Sequence, residues 1–409
     1  MTVIEETDFA ELFADLDRLA GFGGSEGGGV SRTAFSPSFT DAQAWLAGRM
    51  AEAGLAVRLD AAGNLIGRFG PPGPAIVCGS HIDSVPNGGR FDGALGVLAG
   101  LAAFRALKTE GHVFDRALEV IAFADEEGEY FSLFGSRAML GLVTAPEIEA
   151  ARGTRGKLLI DALRDAGLDP ALVASARRPA SDFHAYVELH IEQGPVLEQS
   201  GFDLGVVENI VGIATLEVTF TGRPDHSGTT PMRQRKDAMR AAITYCQLCY
   251  DEAAKDEALR LNFDDWSAAP RALNVVAERV RFRQEIRHPD AASLSAFVAK
   301  AARFAQGAAE ESSATADLRE LARDEPAQMN MVIKALLKAQ AEARGYKTLV
   351  MPSGAGHDAQ LFAPICPTGM LFVPSVDGRS HCPQEFSKPD AIRLAVTVLR
   401  DALRSLTRI

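Results

Sequence analysis

The sequence predicts a mixed α/β fold, a largely parallel sheet flanked by helices, with a smaller α+β domain inserted into it. Three observations carry that expectation. Short apolar runs alternate with helical patterns over the first ~210 residues. Near residue 211 the pattern changes to strands that alternate apolar and polar side chains. Near residue 327 the first pattern returns.

In chain order, residues 39–53 carry apolar side chains at helical spacing and stop at Gly54, a natural C-cap. The runs 74–79, 117–123 and 184–190 are short and apolar, as buried strands are, and 93–107 is small and apolar throughout, which predicts a buried helix. Residues 213–221 and 280–287 alternate like strands with one wet face, and helices are expected over 236–254 and from about 290. A helix over 329–344, a strand over 369–373 and an amphipathic helix over 389–406 complete the outer domain. The expected boundaries are 1–211 with 328–409 for the catalytic domain and 212–327 for the insertion. The glycine-rich tract 21–29 lacks the Lys-Ser/Thr of a phosphate loop and reads as a flexible turn.

Composition narrows the function. The 409 residues carry a net charge of 42 − 54 = −12 with no block of five like charges, which disfavours nucleic acid and anionic membranes as partners. No run of 18 apolar residues could span a bilayer, and the acidic N-terminus does not resemble a signal peptide. Five cysteines (78, 246, 249, 366, 382) are an odd number in a long chain, and point to a reduced, cytoplasmic protein. Cys246 and Cys249 lie in a helical pattern without a second pair and read as packing; Cys382 is either a site-wall thiol or a small buried residue.

Most of the eight histidines stand beside Gly, Ser, Asp or Pro at the ends of expected strands. His81 follows the run 74–79, and in His81-Ile-Asp83 the carboxylate can fix the tautomer of a metal-bound imidazole, although a hydrogen-bonded turn histidine has the same spacing. Asp92 precedes the helix 93–107 and suits either an N-cap or a carboxylate bridging two cations. Asp125-Glu126-Glu127 is either an exposed acidic turn or a cation site in which one Glu ligates while its neighbour acts as base. His190, His226, His357 and His381 stand in further strand-end or glycine-rich segments. His112 and His288 read as surface residues, and His184 is given no role.

Together these segments resemble the dinuclear metallohydrolases that include aminoacylases and glutamate carboxypeptidases. More narrowly, they resemble the hydantoinase/carbamoylase branch of N-carbamoyl-L-amino-acid hydrolases, β-ureidopropionases and allantoate amidohydrolases. The motifs are GSHIDSVPNGGRFDG (79–93), DEEG (125–128), GSRAM-x-G (135–141), ELHIEQGPVLE (188–198), HSGTTPM (226–232), GAGHDA (354–359) and SH-x-P-x-E (380–385). The resemblance implies a zinc-peptidase-like catalytic domain and two divalent ions (Zn, Mn, Co or Ni). It assigns His81 and His190 to one ion, Glu127 and His381 to the other, Asp92 to the bridge between them and Glu126 to the general base. His190 favours the carbamoyl-cleaving branch, because the peptidase relatives usually carry a carboxylate there. The resemblance also implies that Gln193, Asn274, Arg287 and His357 contact substrate and that His226 stabilises an oxyanion. It further implies that the insertion is a lid and homodimerisation domain.

The expected activity is hydrolysis of the ureido C–N bond of N-carbamoyl-L-amino acids or related small ureido acids. Allantoate hydrolysis is the nearest alternative, followed by an aminoacylase or dipeptidase with the same site. A non-catalytic binding protein is disfavoured by the complete ligand set. One segment departs from the branch: Glu129-Tyr130-Phe131 stands where E-E-G-x-R-F is common, and only Ser-Leu-Phe precedes Gly135, which alters the loop 129–134 beside the site.

Overall fold

The computed structural model describes residues 6–408. Most of the acidic N-terminal segment read above therefore lies outside the described residues. The chain divides into two compact units, one formed by residues up to Glu208 together with those from Gln328, the other by Asn209–Ala327.

The larger unit is built on a nine-stranded mixed sheet. Its centre is four adjacent parallel strands, Ala117–Phe123, Ala75–His81, Phe183–Ile191 and Thr368–Val373. Ala56–Leu59 and Leu65–Phe69 extend one side antiparallel, and Leu204–Ile210 adds antiparallel to Thr368–Val373 on the other. Ala75–His81 and Ala117–Phe123 are buried at every residue, which explains why they read as continuous apolar runs rather than alternating ones. The helix Ala94–Thr109 packs on this sheet and is buried along most of its length; Pro389–Leu406 packs against that helix and the sheet.

Register decides what the strand ends present. Cys78 pairs with Val187, so three residues further on His81 and His190 leave the sheet side by side, their ring centroids 6.0 Å apart. Phe372 pairs with His190, which starts the loop after Val373 beside the same two histidines.

The smaller unit is a four-stranded antiparallel sheet in the order Thr315–Asp324, Gly212–Thr221, Arg279–His288, Arg260–Ala269. Helices Ala238–Ala253 and Ala291–Glu311 pack against it, over Leu216, Val218, Phe220, Phe282 and Ile286. Cys249 is buried in this core and Cys246 packs at its margin, in keeping with the packing reading.

One expectation is corrected. His288 is buried rather than on the surface, because it ends Arg279–His288 in phase with the buried Phe282, Gln284 and Ile286. Its Nδ1 accepts the Asp290 N–H (2.9 Å) and its Nε2 lies 3.1 Å from Asp256 Oδ2. The tract 21–29 is a turn held by pairing: Ser25 N–H donates to the Gly29 carbonyl, and Val30 exchanges both backbone bonds with Gly88.

Helix Ala94–Thr109 approaches the sheet closely at Gly96, where a Cβ would fall on the Leu189 carbonyl oxygen and 2.8 Å from Ser80 Cβ. Gly96→Ala is expected to cost about 1–3 kcal/mol through overpacking, read as a lower unfolding midpoint in denaturant. An unchanged midpoint would show that the helix has room to withdraw.

Candidate metal centre

Four strand ends converge here. Ala75–His81 supplies His81 and, just beyond it, Asp83; Ala117–Phe123 leads to Asp125, Glu126 and Glu127. Phe183–Ile191 supplies His190 and leads to Gln193, and Thr368–Val373 leads to Ser380 and His381. Asp92 enters from the loop before Ala94–Thr109. Its side chain does not cap that helix, whose N-cap is Gly93 with no side-chain bond, so the cap reading is set aside.

Asp92 presents its two carboxylate oxygens to two donor clusters. Oδ1 lies 3.2 Å from His190 Nε2 and 3.8 Å from His81 Nε2, while Oδ2 lies 3.0 Å from His381 Nε2. Glu127 Oε2 stands 3.6 Å from His381 Nε2. The donor atoms of His81, Asp92 and His190 lie within 4.8 Å of one another, and so do those of Asp92, Glu127 and His381. Glu126 Oε2 lies 3.5 Å from His81 Nε2.

The imidazoles are oriented by their other nitrogens. His81 Nδ1 faces the Asp83 backbone carbonyl at 3.1 Å, not the Asp83 carboxylate expected from the sequence, which lies 3.7 Å away; His190 Nδ1 faces the Ile191 carbonyl at 2.9 Å, and a carbonyl only accepts. Both rings therefore carry a proton on Nδ1 and turn Nε2 toward Asp92. Asp83 also accepts the N–H groups of Glu126 (3.3 Å) and Glu127 (3.0 Å), which ties the acidic turn to the His81 loop. Gly93 is required for clearance, since a Cβ there would fall on the His81 ring.

This donor set fits divalent cations. Imidazole nitrogens and carboxylate oxygens suit Zn, Mn, Co or Ni, and the charges are poorly balanced without an ion. Asp125 is fully buried, so the turn 125–127 is not an exposed acidic surface turn. Burial, then neighbouring Glu127, holds Glu126 well above the usual carboxylate range. Burial and Asp92 raise Glu127 to about 8. Burial lowers His81. Burial pulls His190 down, but the Asp92 and Glu188 carboxylates and the Ile191 carbonyl together raise it to about 9, and His381 is raised to about 9 chiefly by its bond to Asp92.

A further cluster of Glu188, His190 and His357 is already satisfied within the protein. Glu188 accepts from Ser80 Oγ (2.8 Å), Tyr186 OH (3.0 Å) and Ala359 N–H (3.0 Å), and His357 Nε2 lies 2.8 Å from Ser353 Oγ. His357 is buried edge-on to His190, with ring centroids 4.4 Å apart. Gln193 donates from Nε2 to Asp92 Oδ2 at 2.9 Å.

In the smaller unit, an isolated bridge joins His226 to Val275, and Ser227 N–H donates to the Asn274 carbonyl (2.9 Å). The exposed His226 accepts the Gly228 N–H on Nδ1 at 3.1 Å, which leaves its Nε2 as the donor of a neutral ring. Arg287 lies near the other end of Arg279–His288, with Nε 2.7 Å from Glu285 Oε1. The His226 turn adjoins the Arg279 end, where Gly222 N–H donates to the Glu278 carbonyl. Eight residues of strand, about 26 Å, thus separate Arg287 from that end.

Residues not singled out as functional in the sequence also shape the site. Glu385 and Ser380 sit behind Asp92. Arg32, buried, donates to the Ile82, Leu19 and Phe22 carbonyls and braces the His81 loop; burial draws its guanidinium down to about 10.

Residues 77–405 match the family model for peptidase family M20/M25/M40, and the chain belongs to that family. Within it, the chain is 38% identical to an N-carbamoyl-L-amino acid amidohydrolase of Geobacillus stearothermophilus, over 95% of this chain and 96% of that one. It is 37% identical to an allantoate amidohydrolase of Escherichia coli, over 95% and 94%. A solved hydantoinase/carbamoylase family amidase from Burkholderia multivorans superposes with a TM-score of 0.88 at 32% identity, covering 98% of both chains.

The shifts predict how the metal-free protein responds to pH. Between about pH 6.5 and 8.5 the unfolded chain has released protons that Glu127, His190 and His381 still hold when folded. The folded state binds more protons, so its stability falls as pH rises across this window. The metal-free protein is expected to melt several degrees lower at about pH 8.5 than at about pH 6.5, and added divalent cation should narrow the gap. A melting temperature that rises with pH would contradict this charge assignment.

Proposed function

We propose that the protein is a metal-dependent amidohydrolase that cleaves the ureido C–N bond of an N-carbamoyl-L-amino acid or a related small ureido acid in the cytoplasm. The observation that carries this reading is Asp92, whose two buried oxygens face two separate His-containing clusters with Glu126 alongside. The ureido branch is supported by His190, where peptidase relatives carry a carboxylate, and by amidohydrolase relatives that match nearly the whole chain. A second reading, allantoate as the substrate, is favoured by the Escherichia coli relative.

In this reading His81, His190 and Asp92 hold one divalent ion and Asp92, Glu127 and His381 a second. Ions held there supply Lewis acidity, acidifying a water and drawing charge from the carbonyl. Glu126, whose proton affinity is raised by burial, takes the proton of the attacking water and delivers it to the departing nitrogen. Water adds to the ureido carbon, the bond to the amino-acid nitrogen breaks, and the carbamate released decays to ammonia and carbon dioxide. His226 donates from Nε2 to the developing oxyanion, a contact worth ~10²–10³ in turnover for such donors. Arg287 exchanges Glu285 for the substrate carboxylate, which a guanidinium can grip with two parallel bonds. Gln193, Asn274 and His357 contribute further substrate contacts.

The insertion acts as lid and dimer contact. Arg287 and the His226 turn lie toward opposite ends of one strand, so a compact substrate touching both draws them from two lids. A homodimer supplies that arrangement.

Metal-stripped protein restored with Zn²⁺, Mn²⁺ or Co²⁺ is expected to release ammonia from N-carbamoyl-L-amino acids or allantoate, and to leave N-acetyl amino acids and dipeptides intact. Turnover confined to those acyl controls would move the protein to the aminoacylase or dipeptidase side. Glu126→Gln is expected to keep the parent's metal content by elemental analysis while kcat falls by at least ~10²-fold. Parental kcat in this variant would remove Glu126 as the base.

A further inference from the structure

The motif SH-x-P-x-E contains two residues for which the proposed chemistry has no use, Ser380 and Glu385. Glu385 is buried (3% exposed) although it lies in a loop. Its Oε1 accepts the backbone N–H of Phe91 (2.8 Å) and of Asp92 (3.0 Å). Its Oε2 lies 2.7 Å from Ser380 Oγ, and the same hydroxyl lies 3.0 Å from Asp92 Oδ2. A Cβ on Gly89 would fall on the Glu385 carboxylate, so this glycine opens the space the carboxylate fills.

The connection joins two loops that share no strand. One, between Ala75–His81 and Ala94–Thr109, carries Asp92; the other, after Thr368–Val373, carries His381 beside Ser380. Loops move more than the strands that launch them, and His381 is half-exposed, with a left-handed backbone (φ +56°) at a non-glycine residue. His81 and His190 need no such tie, because one ends a buried strand and the other lies within one.

We propose that Glu385 is a positioning residue for the metal centre. It clamps the Asp92 loop to the His381 loop through Ser380, and so sets affinity at the Asp92–Glu127–His381 cluster rather than at His81–Asp92–His190. Asp92 Oδ2, the oxygen toward His381, is the one the Ser380 hydroxyl reaches, whereas Oδ1 faces His81 and His190. Outer partners of metal ligands typically contribute ~10–100-fold in affinity. The inference rests on the two-cluster reading of the site.

The test is Co²⁺ titration of metal-stripped full-length protein, followed by visible absorption and calorimetry. The parent, Glu385→Gln and Ser380→Ala are compared, with the thermal midpoint of each metal-free variant measured alongside. The parent is expected to bind two ions. Glu385→Gln keeps the side-chain volume but leaves one acceptor oxygen where the carboxylate has two, so its NH₂ faces either the two backbone N–H groups or the Ser380 hydroxyl, and should weaken one ion by ~10–100-fold while the other stays within about 3-fold. Ser380→Ala, a smaller change at a less buried residue, should weaken the same ion in the same direction. Two ions bound by Glu385→Gln with parental affinity would overturn the role of Glu385. Equal weakening of both ions together with a lower metal-free midpoint would reduce Glu385 to general structural support and also overturn it. A parent that binds fewer than two ions would overturn the two-cluster reading and this inference with it.

Discussion

The buried negative charge at the ends of four parallel strands is the constraint on which the rest of this structure depends. Asp83, Asp92 and Asp125 are buried, with Glu126 and Glu127 next to them, and like charges so placed repel unless protons, imidazoles or cations intervene. Backbone amides take up part of this load, although Asp125 Oδ1 is left without a partner among the described residues. Asp83 takes two backbone N–H groups of the neighbouring acidic turn, and Asp125 Oδ2 takes those of Tyr130 and Phe131. What those bonds leave unbalanced is concentrated on Asp92, Glu126 and Glu127, around the His81, His190 and His381 rings.

Holding that charge costs backbone strain as well. Asp125, Gln193 and His381 all adopt left-handed φ between +55° and +58° without being glycine. Each such residue costs of order 1 kcal/mol or more and persists where its surroundings fix it. Asp125 is held by the two turn amides just named, and Gln193 by its own N–H on Ser375 Oγ (3.1 Å). His381 is held by Asp92 and by its neighbour Ser380. These three residues lie where chains leaving different strands must turn sharply toward one another.

Much of this was legible in the sequence because buried parallel strands have a simple signature. The runs 74–79, 117–123 and 184–190 are mostly apolar and correspond to Ala75–His81, Ala117–Phe123 and Phe183–Ile191. Most of the strands that the pattern did not reveal are edge or short ones, Leu204–Ile210 being an interior exception. Arg260–Ala269 and Thr315–Asp324 flank the smaller sheet, expose most of their side chains and carry register irregularities, so alternation is lost among their charges. The histidines and carboxylates stood out at strand ends, where residue type and position together suggest ligation. Glu385 did not, because a glutamate four residues beyond a histidine looks like surface until the fold places it under Asp92. His288 misled for the opposite reason: its neighbours Pro289 and Asp290 signal a turn, while strand phase turns the ring inward.

The loop 129–134 shows why the chemistry is easier to read than the substrate. Tyr130 and Phe131 are fastened by their amides to Asp125, and Glu129 accepts from Thr154 N–H (3.2 Å) and Oγ1, drawing the loop toward the turn at 153–157. The departure from the branch pattern therefore leaves the acidic turn anchored on Asp83 and changes only what stands beside Glu126 and Glu127. The geometry of the His and carboxylate cluster is fixed by strands and by carboxylates that bond backbone amides, and tolerates little change in residue type. The shape around that cluster comes from short loops, where many sequences satisfy the same backbone. Motifs that specify metal ligands can therefore be shared by enzymes with different ureido substrates, and discrimination among those substrates rests on side chains that no motif requires.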